Sequence, residues 1–231
     1  MNAVFPPPVP ASALVAGSTD RFPVRRIYCV GRNYADHQIE MGGSGREAPF
    51  FFMKPADALV PVAAGATGQV AYPGLTQDYH HEIELVVAIG QGGAQIAVSD
   101  ALRHVWGYAV GLDMTRRDRQ SEAKKQGRPW CVSKGFDASA PLAPITPVAQ
   151  AGDIHHATIA LQVNGVERQR SGIDQMIWNV AEIIAHVSSA WTLAPGDLIF
   201  TGTPAGVGAV VRGDALLGHV DGLEDLRIQI I

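Results

Sequence analysis

The chain has 231 residues, 17% of them charged and 47% hydrophobic, with a formal net charge of −4. This balance fits one folded domain with a sizeable core and excludes a disordered or fibrous chain. No basic stripe is present to neutralise phosphates, which excludes nucleic acid as a partner, and the widely separated Cys29 and Cys131 offer neither a disulfide framework nor a zinc knuckle.

Residues 1–20 read as an N-terminal arm ahead of a single domain at 21–231. The arm has no basic n-region, and Pro6 to Pro8 break its apolar run, so it is not read as a signal peptide. No window approaches the roughly 18 consecutive apolar residues of a membrane helix. A soluble, cytoplasmic protein without a membrane partner is expected.

The 25 glycines and 15 prolines are spread along the chain, as many short elements joined by turns require. Strand-like stretches follow in order: "ALVAG", "RRIYCVG", "FFFMKP", "EIELVVAIG", "VWGYAVGLD", "ATIALQVNG", "DLIFTGTP" and "LRIQII". The turns "PGD" at Pro195 and "RGD" at Arg212 open later strands. Three helices are predicted. "NYADHQIEM" takes Asn33 as its N-cap and stops at Gly42-Gly43, while "TRRDRQSEAKKQG" starts at Thr115 with Asp118 in capping-box spacing and ends at Gly127. "DQMIWNVAEIIAHVSSAW" puts Met176, Ile177, Val180, Ile183, Ile184 and Val187 on one stripe, with His186 and Trp191 assigned to packing or surface. The class is β-rich α+β, a roll or sandwich with a few short helices.

In "HHEIELVVAI" the strand period puts Glu82 and Glu84 on one face, about 7 Å apart at their α-carbons. A helix would separate them by about 200° around its axis. Asp113 ends a strand just before a helix and is placed to be a third ligand. Three carboxylates without cysteine describe a hard, oxygen-only site, for which Mg²⁺ or Mn²⁺ is expected. His80 and His81 lack the i+4 histidine of a helical zinc motif and are read as packing residues or supports behind the ligands.

His37 and Glu40 lie three apart on a short helix, where a carboxylate can orient an imidazole as general base, and Gly42, Gly43, Ser44 and Gly45 suit a closing lid. On these residues alone a solvated strand face and a surface i, i+3 pair stay open. "TGTPAGVG" lacks the lysine of a phosphate loop and the pattern of a dinucleotide site. Its backbone N–H groups and threonine hydroxyls suit a carboxylate, or it is a plain turn.

Taken together, "GRNYADHQIEM", "FFFMKPADALV", "HHEIELVVAIG", "GYAVGLDMTRRDRQ", "GRPWCVSKGFD" and "LIFTGTPAGVG" resemble the fumarylacetoacetate hydrolase family, in particular its short acylpyruvate- and fumarylpyruvate-hydrolysing members. The likeness runs from about Arg25 to the C-terminus. It implies a mixed β-sandwich roll, usually a homodimer, with a short arm where larger members carry an N-terminal barrel domain.

The resemblance also implies roles for individual residues. Glu82, Glu84 and Asp113 match the metal carboxylates, Lys134 the active-site lysine, and His37 with Glu40 the lid dyad. Arg117 and Gln120 match substrate contacts, and Thr203 a loop that binds the substrate's carboxylate. Without the resemblance, a lone lysine such as Lys134, on a segment read as extended, would be expected in solvent. The expected activity is metal-dependent C–C cleavage of an acylpyruvate, foremost 3-fumarylpyruvate, in aromatic catabolism. Alternatives are an oxaloacetate decarboxylase or dienedioate isomerase/decarboxylase on the same site, or a non-catalytic dicarboxylate binder. Arg32, Arg116, Arg119 and Arg128 stay equal candidates for pairing a distal carboxylate.

Overall fold

The computed structural model describes residues 3–34 and 47–231. In the first third of the chain lie β1 (Ser12–Leu14), β2 (Arg21–Pro23), β3 (Ile27–Gly31), β4 (Phe50–Lys54), β5 (Leu59–Pro61), β6 (Thr67–Val70) and β7 (Tyr79–His81). The middle holds β8 (Ile83–Ile89), β9 (Val105–Leu112), β10 (Thr115–Arg116), α1 (Arg117–Lys125), α2 (Cys131–Lys134), β11 (Ala140–Leu142) and β12 (Thr146–Pro147). After them come β13 (Thr158–Val163), β14 (Val166–Gly172), α3 (Val180–Ala190), β15 (Leu198–Phe200), β16 (Gly208–Ala209), β17 (Ala215–Val220) and β18 (Leu226–Ile230). This is the β-rich architecture with few helices that the sequence implies.

A large sheet runs β4-β3-β15-β8-β9-β11-β5, with β12 also paired to β9, and a second runs β14-β13-β17-β18-β6. The pairs β3–β15, β5–β11 and β6–β18 are parallel and the other pairs antiparallel, so both sheets are mixed. The expected helix from Asn33, with His37, Glu40 and the glycine run, lies outside the described residues apart from its first two positions.

Strand β8 organises the molecule. It is flanked by β15 and β9, and every residue from Ile83 to Ile89 is buried, so neither of its faces is solvated. Ile83, Leu85, Val87 and Ile89 enter a core shared with β13, β17, β18 and the Ile183, Ile184 and Val187 stripe of α3. Val86 and Ala88 point the other way, into a second core with Phe22, Ala109, Leu142 and Phe200. A strand covered on both sides reads as a continuous apolar run. The same period carries Glu84 and Glu82 onto the Val86 side, at the strand's N-terminal end.

Two helix starts differ from the sequence reading. Thr115 does not cap α1; it pairs with His80 in a small sheet, β10-β7-β16, and the helix begins at Arg117 with no side-chain cap. Asp118 accepts instead from Thr76 Oγ1 at 2.7 Å and Gln77 N at 3.1 Å. Helix α3 starts only at Val180, where Asn179 and Glu182 form a reciprocal capping box. Upstream, Met176 bridges to Tyr34 and Ile177 N donates to Asn33 O, which holds that stretch out of the helix.

Candidate active site

The pairing of β8 with β9 sets the geometry of the acids. Glu84 lies opposite Gly111, and one step outward Asp113 N donates to Glu82 O at 2.9 Å. Glu82 and Asp113 are therefore cross-strand neighbours, and Glu84 joins them on the same face. One oxygen from each of Glu82, Glu84 and Asp113 lies within 4.8 Å of the others, and among the described residues no other group of His, Cys, Asp and Glu converges this way. All three are buried.

Three cations face them. Lys134 Nζ donates to Glu82 Oε2 at 2.9 Å and Asp113 Oδ2 at 2.6 Å. Arg117 Nη2 donates to Glu82 Oε1, which also accepts from Thr115 Oγ1 at 3.2 Å. Lys54, which sequence reasoning missed, sits 2.8 Å from Asp113 Oδ1 and donates to the carbonyls of Met114 and Lys134. Lys54 and Lys134 are 1% and 2% exposed, so the solvent position expected of a lone lysine does not hold. Nor is Lys134 on an extended segment: it closes the single turn α2, in which Ser133 N and Lys134 N both donate to Trp130 O. The strand period held the signal for Lys54, because Phe50, Phe52 and Lys54 share one face of β4.

Burial would push the Lys134 ammonium down, but the Asp113 and Glu82 carboxylates outweigh it and raise it above its ordinary value. Among the described residues Glu84 has only the Gly202 N–H, at 2.8 Å, as its donor. Burial, and then the charges of Asp113 and Glu82, raise it well above the usual carboxylate range. Among the described residues Asp113 Oδ1 makes no aligned hydrogen bond even with Lys54 beside it. An oxygen-only donor set with an electron-rich, under-satisfied side fits a hard divalent cation.

Behind the acids, Gln169 of β14 is a junction that the sequence did not reveal. Its Oε1 accepts from Ile83 N at 3.1 Å and from His81 Nδ1 at 2.9 Å. Its Nε2 donates to Thr203 Oγ1 and to Pro204 O, both at 2.8 Å. Burial lowers the His81 pKa to about 4, so that ring is neutral. His80 is also held down by burial and by Arg117; its Nδ1 lies 3.4 Å from Arg117 Nε, a donor, and its Nε2 donates to Asp78 at 2.8 Å. Both histidines brace neighbours of the acids.

In the "TGTP" loop, Thr201 Oγ1 donates to Leu85 O at 2.9 Å and Gly202 N is taken by Glu84. Gly202 has φ +96, and a β-carbon there would lie 2.7 Å from Asn33 Cβ, so the loop needs glycine at that position. Of the groups expected to cradle a carboxylate, Thr203 alone reaches the cavity. That cavity is lined by a polar wall of Glu82, Glu84, Arg117, Gln120, Lys134 and Thr203 together with Val30, Gly31, Arg32, Phe50, Phe52 and Trp130. Arg117 also donates to Gln120 Oε1 across one turn of α1. Arg116 turns away, with Nη1 donating to Val132 O and its guanidinium 4.3 Å from the Phe136 ring centroid.

Residues 26–231 match the model of the fumarylacetoacetate (FAA) hydrolase C-terminal family. The chain belongs to this family. Among family members, a fumarylpyruvate hydrolase from Ralstonia sp. is 46% identical over 80% of this chain and 93% of its own length. A mitochondrial oxaloacetate decarboxylase from Dictyostelium discoideum is 40% identical over 90% of this chain and 94% of its own. The crystal structure of fumarylpyruvate hydrolase from Pseudomonas aeruginosa, in complex with Mn²⁺ and pyruvate, superposes with a TM-score of 0.98 at 57% identity, covering 100% of this chain and 99% of that one. The fold is that of the fumarylacetoacetate hydrolase family throughout.

Proposed function

We propose that this chain is a divalent-metal-dependent hydrolase that cleaves the C–C bond of an acylpyruvate, foremost 3-fumarylpyruvate, to fumarate and pyruvate. The observation that carries the reading is the convergence of three buried carboxylates, Glu82, Glu84 and Asp113, with Lys54, Lys134 and Arg117 paired to two of them, Glu82 and Asp113. A bound Mg²⁺ or Mn²⁺ adds two positive charges, which a 2-oxo carboxylate that becomes an enolate would neutralise. Relatives support the same reading, since one bears the name of this hydrolase and another was crystallised with Mn²⁺ and pyruvate.

Glu82, Glu84 and Asp113 would hold the metal, which when bound supplies Lewis-acid stabilisation of oxygen charge at the pyruvoyl end. His37, oriented by Glu40, takes a proton from water as it adds to the distal acyl carbonyl. The C–C bond then breaks; its electron pair stays on the pyruvate half as an enolate, and the acyl half leaves as fumarate. Lys134 offers a fixed positive charge to that enolate before it is protonated to pyruvate. Arg117 and Gln120 contact the substrate, and Thr203, which accepts from Gln169, keeps its hydroxyl proton for a substrate carboxylate.

Residues 21–231 form the catalytic domain in this reading, with 1–20 as an arm. A cytoplasmic homodimer acting in aromatic catabolism is proposed from the resemblance; no helix among the described residues is long and apolar enough to cross a membrane.

A second reading, decarboxylation of oxaloacetate, is favoured by the polar wall, which serves any 2-oxo acid enolate, and by the Dictyostelium relative. Comparing kcat/KM for fumarylpyruvate and oxaloacetate in wild type and His37→Ala separates the two. The hydrolase reading expects fumarylpyruvate to be preferred and its turnover to be abolished by the substitution. Preferred decarboxylation of oxaloacetate that survives His37→Ala rejects it.

A further inference from the structure

We infer that Arg32 is the residue that selects substrates carrying a carboxylate at the far end of the acyl chain. This rests on the hydrolase reading and adds what reads the end of the substrate remote from the metal. Four arginines were equal candidates by sequence, and their positions separate them. Arg116 lies on Phe136 and the Val132 carbonyl. Arg119 is exposed and engaged with Leu75 O at 2.8 Å and Glu122 at 3.0 Å. Arg128 is exposed and does not line the cavity. Arg32 lines it, and among the described residues its guanidinium is the one there besides that of Arg117, which is bound to Glu82.

The backbone and its neighbours form a built platform for this side chain. Gly31 pairs with Phe50 across β3 and β4, and a β-carbon on Gly31 would fall 2.0 Å from the Phe50 ring. Glycine therefore lets the ring lie flat against the strand, with the Trp130 ring edge-on to it at 5.3 Å. The Arg32 guanidinium stands over that ring, 5.9 Å from its centroid, a geometry that favours a planar cation.

Arg32 itself adopts φ +57, the left-handed region, which a long side chain rarely occupies without a reason. Among the described residues its buried Nε finds no hydrogen-bond partner. A strained, half-buried arginine that lines the cavity holding the acids, with its guanidinium set on an aromatic ring, is suited to a planar, doubly accepting anion. A carboxylate at the end of the acyl chain has that chemistry.

The test compares fumarylpyruvate with acetylpyruvate, which undergoes the same cleavage but has no far carboxylate. Wild type should favour fumarylpyruvate by roughly 10- to 100-fold in kcat/KM, as the loss of a charge-assisted hydrogen bond predicts. In Arg32→Gln that ratio should fall by about the same factor, and Arg32→Lys should recover part of it. A wild type indifferent to the far carboxylate overturns the inference without reference to any variant. So does an Arg32→Gln enzyme whose ratio is unchanged, and both outcomes leave the hydrolase reading standing. Wild-type inactivity toward both substrates rejects the hydrolase reading, and this inference with it.

Discussion

Asp113 is held between two ammonium groups, with Lys54 on Oδ1 and Lys134 on Oδ2, all three side chains out of solvent. Removing one partner of a buried ion pair leaves its charge uncompensated. Lys54→Met should therefore cost about 3–5 kcal/mol in urea unfolding. Added Mn²⁺ should raise the variant's midpoint more than that of wild type, because a cation restores the missing charge. A second residue-scale prediction concerns pH. The hydrogen bond to Asp225, followed by that to Asp221, raises the His219 pKa above its ordinary value against some burial. Folding stability gained this way is fully present below the unfolded pKa of about 6.5 and is lost as pH rises through the higher folded value. His219→Gln should thus cost at most ~0.5 kcal/mol of unfolding free energy at pH 5.5 for so exposed a pair, and less at pH 9, read from thermal unfolding at the two pH values. Of the residues discussed, the glutamates were the most legible, since strand periodicity alone puts Glu82 and Glu84 together. Gln169 was not legible, because its role comes from a cross-sheet approach of β14 to the start of β8 that no local pattern encodes.

At the scale of elements, strands with long apolar runs, such as Leu85 to Ile89 of β8, β9 and β15, were readable because burial on both faces demands such runs. Strand β14 was not, because "VERQRSG" lies at a sheet edge and buries Gln169 alone, and in β17 Gly218 interrupts the alternation. Helix starts were the least legible. A capping-box spacing exists at Thr115, yet that residue is drawn into β10 and donates to Glu82, whereas Asn179 and Glu182 form a true box inside what read as one long helix. Asn179→Ala should cost about 1 kcal/mol in equilibrium unfolding, the usual worth of an N-cap. A loss below the error of the measurement would mean that packing of the α3 stripe, and not the cap, sets where the helix begins.

In the whole molecule, the mixed sheets bring together at one cavity residues that are far apart in sequence: Arg32, Phe50, Glu82, Glu84, Arg117, Lys134 and Thr203. Composition and motif order were enough to indicate the β-rich roll, but the cavity depends on β4 lying at the edge of the large sheet and on α1 and α2 packing against β10 and β4. The lining combines the charged cluster of Glu82, Glu84, Arg117 and Lys134 with aromatic surface and Arg32, so the two ends of a substrate would meet different chemistry. Use of a divalent cation by this chain to hydrolyse an acylpyruvate is tested most directly by product analysis of fumarylpyruvate turnover by purified protein, before and after chelation and after re-addition of Mn²⁺. Equimolar fumarate and pyruvate, lost on chelation and restored by Mn²⁺, is the predicted result; turnover unaffected by chelation, or CO₂ released in place of fumarate, would contradict it.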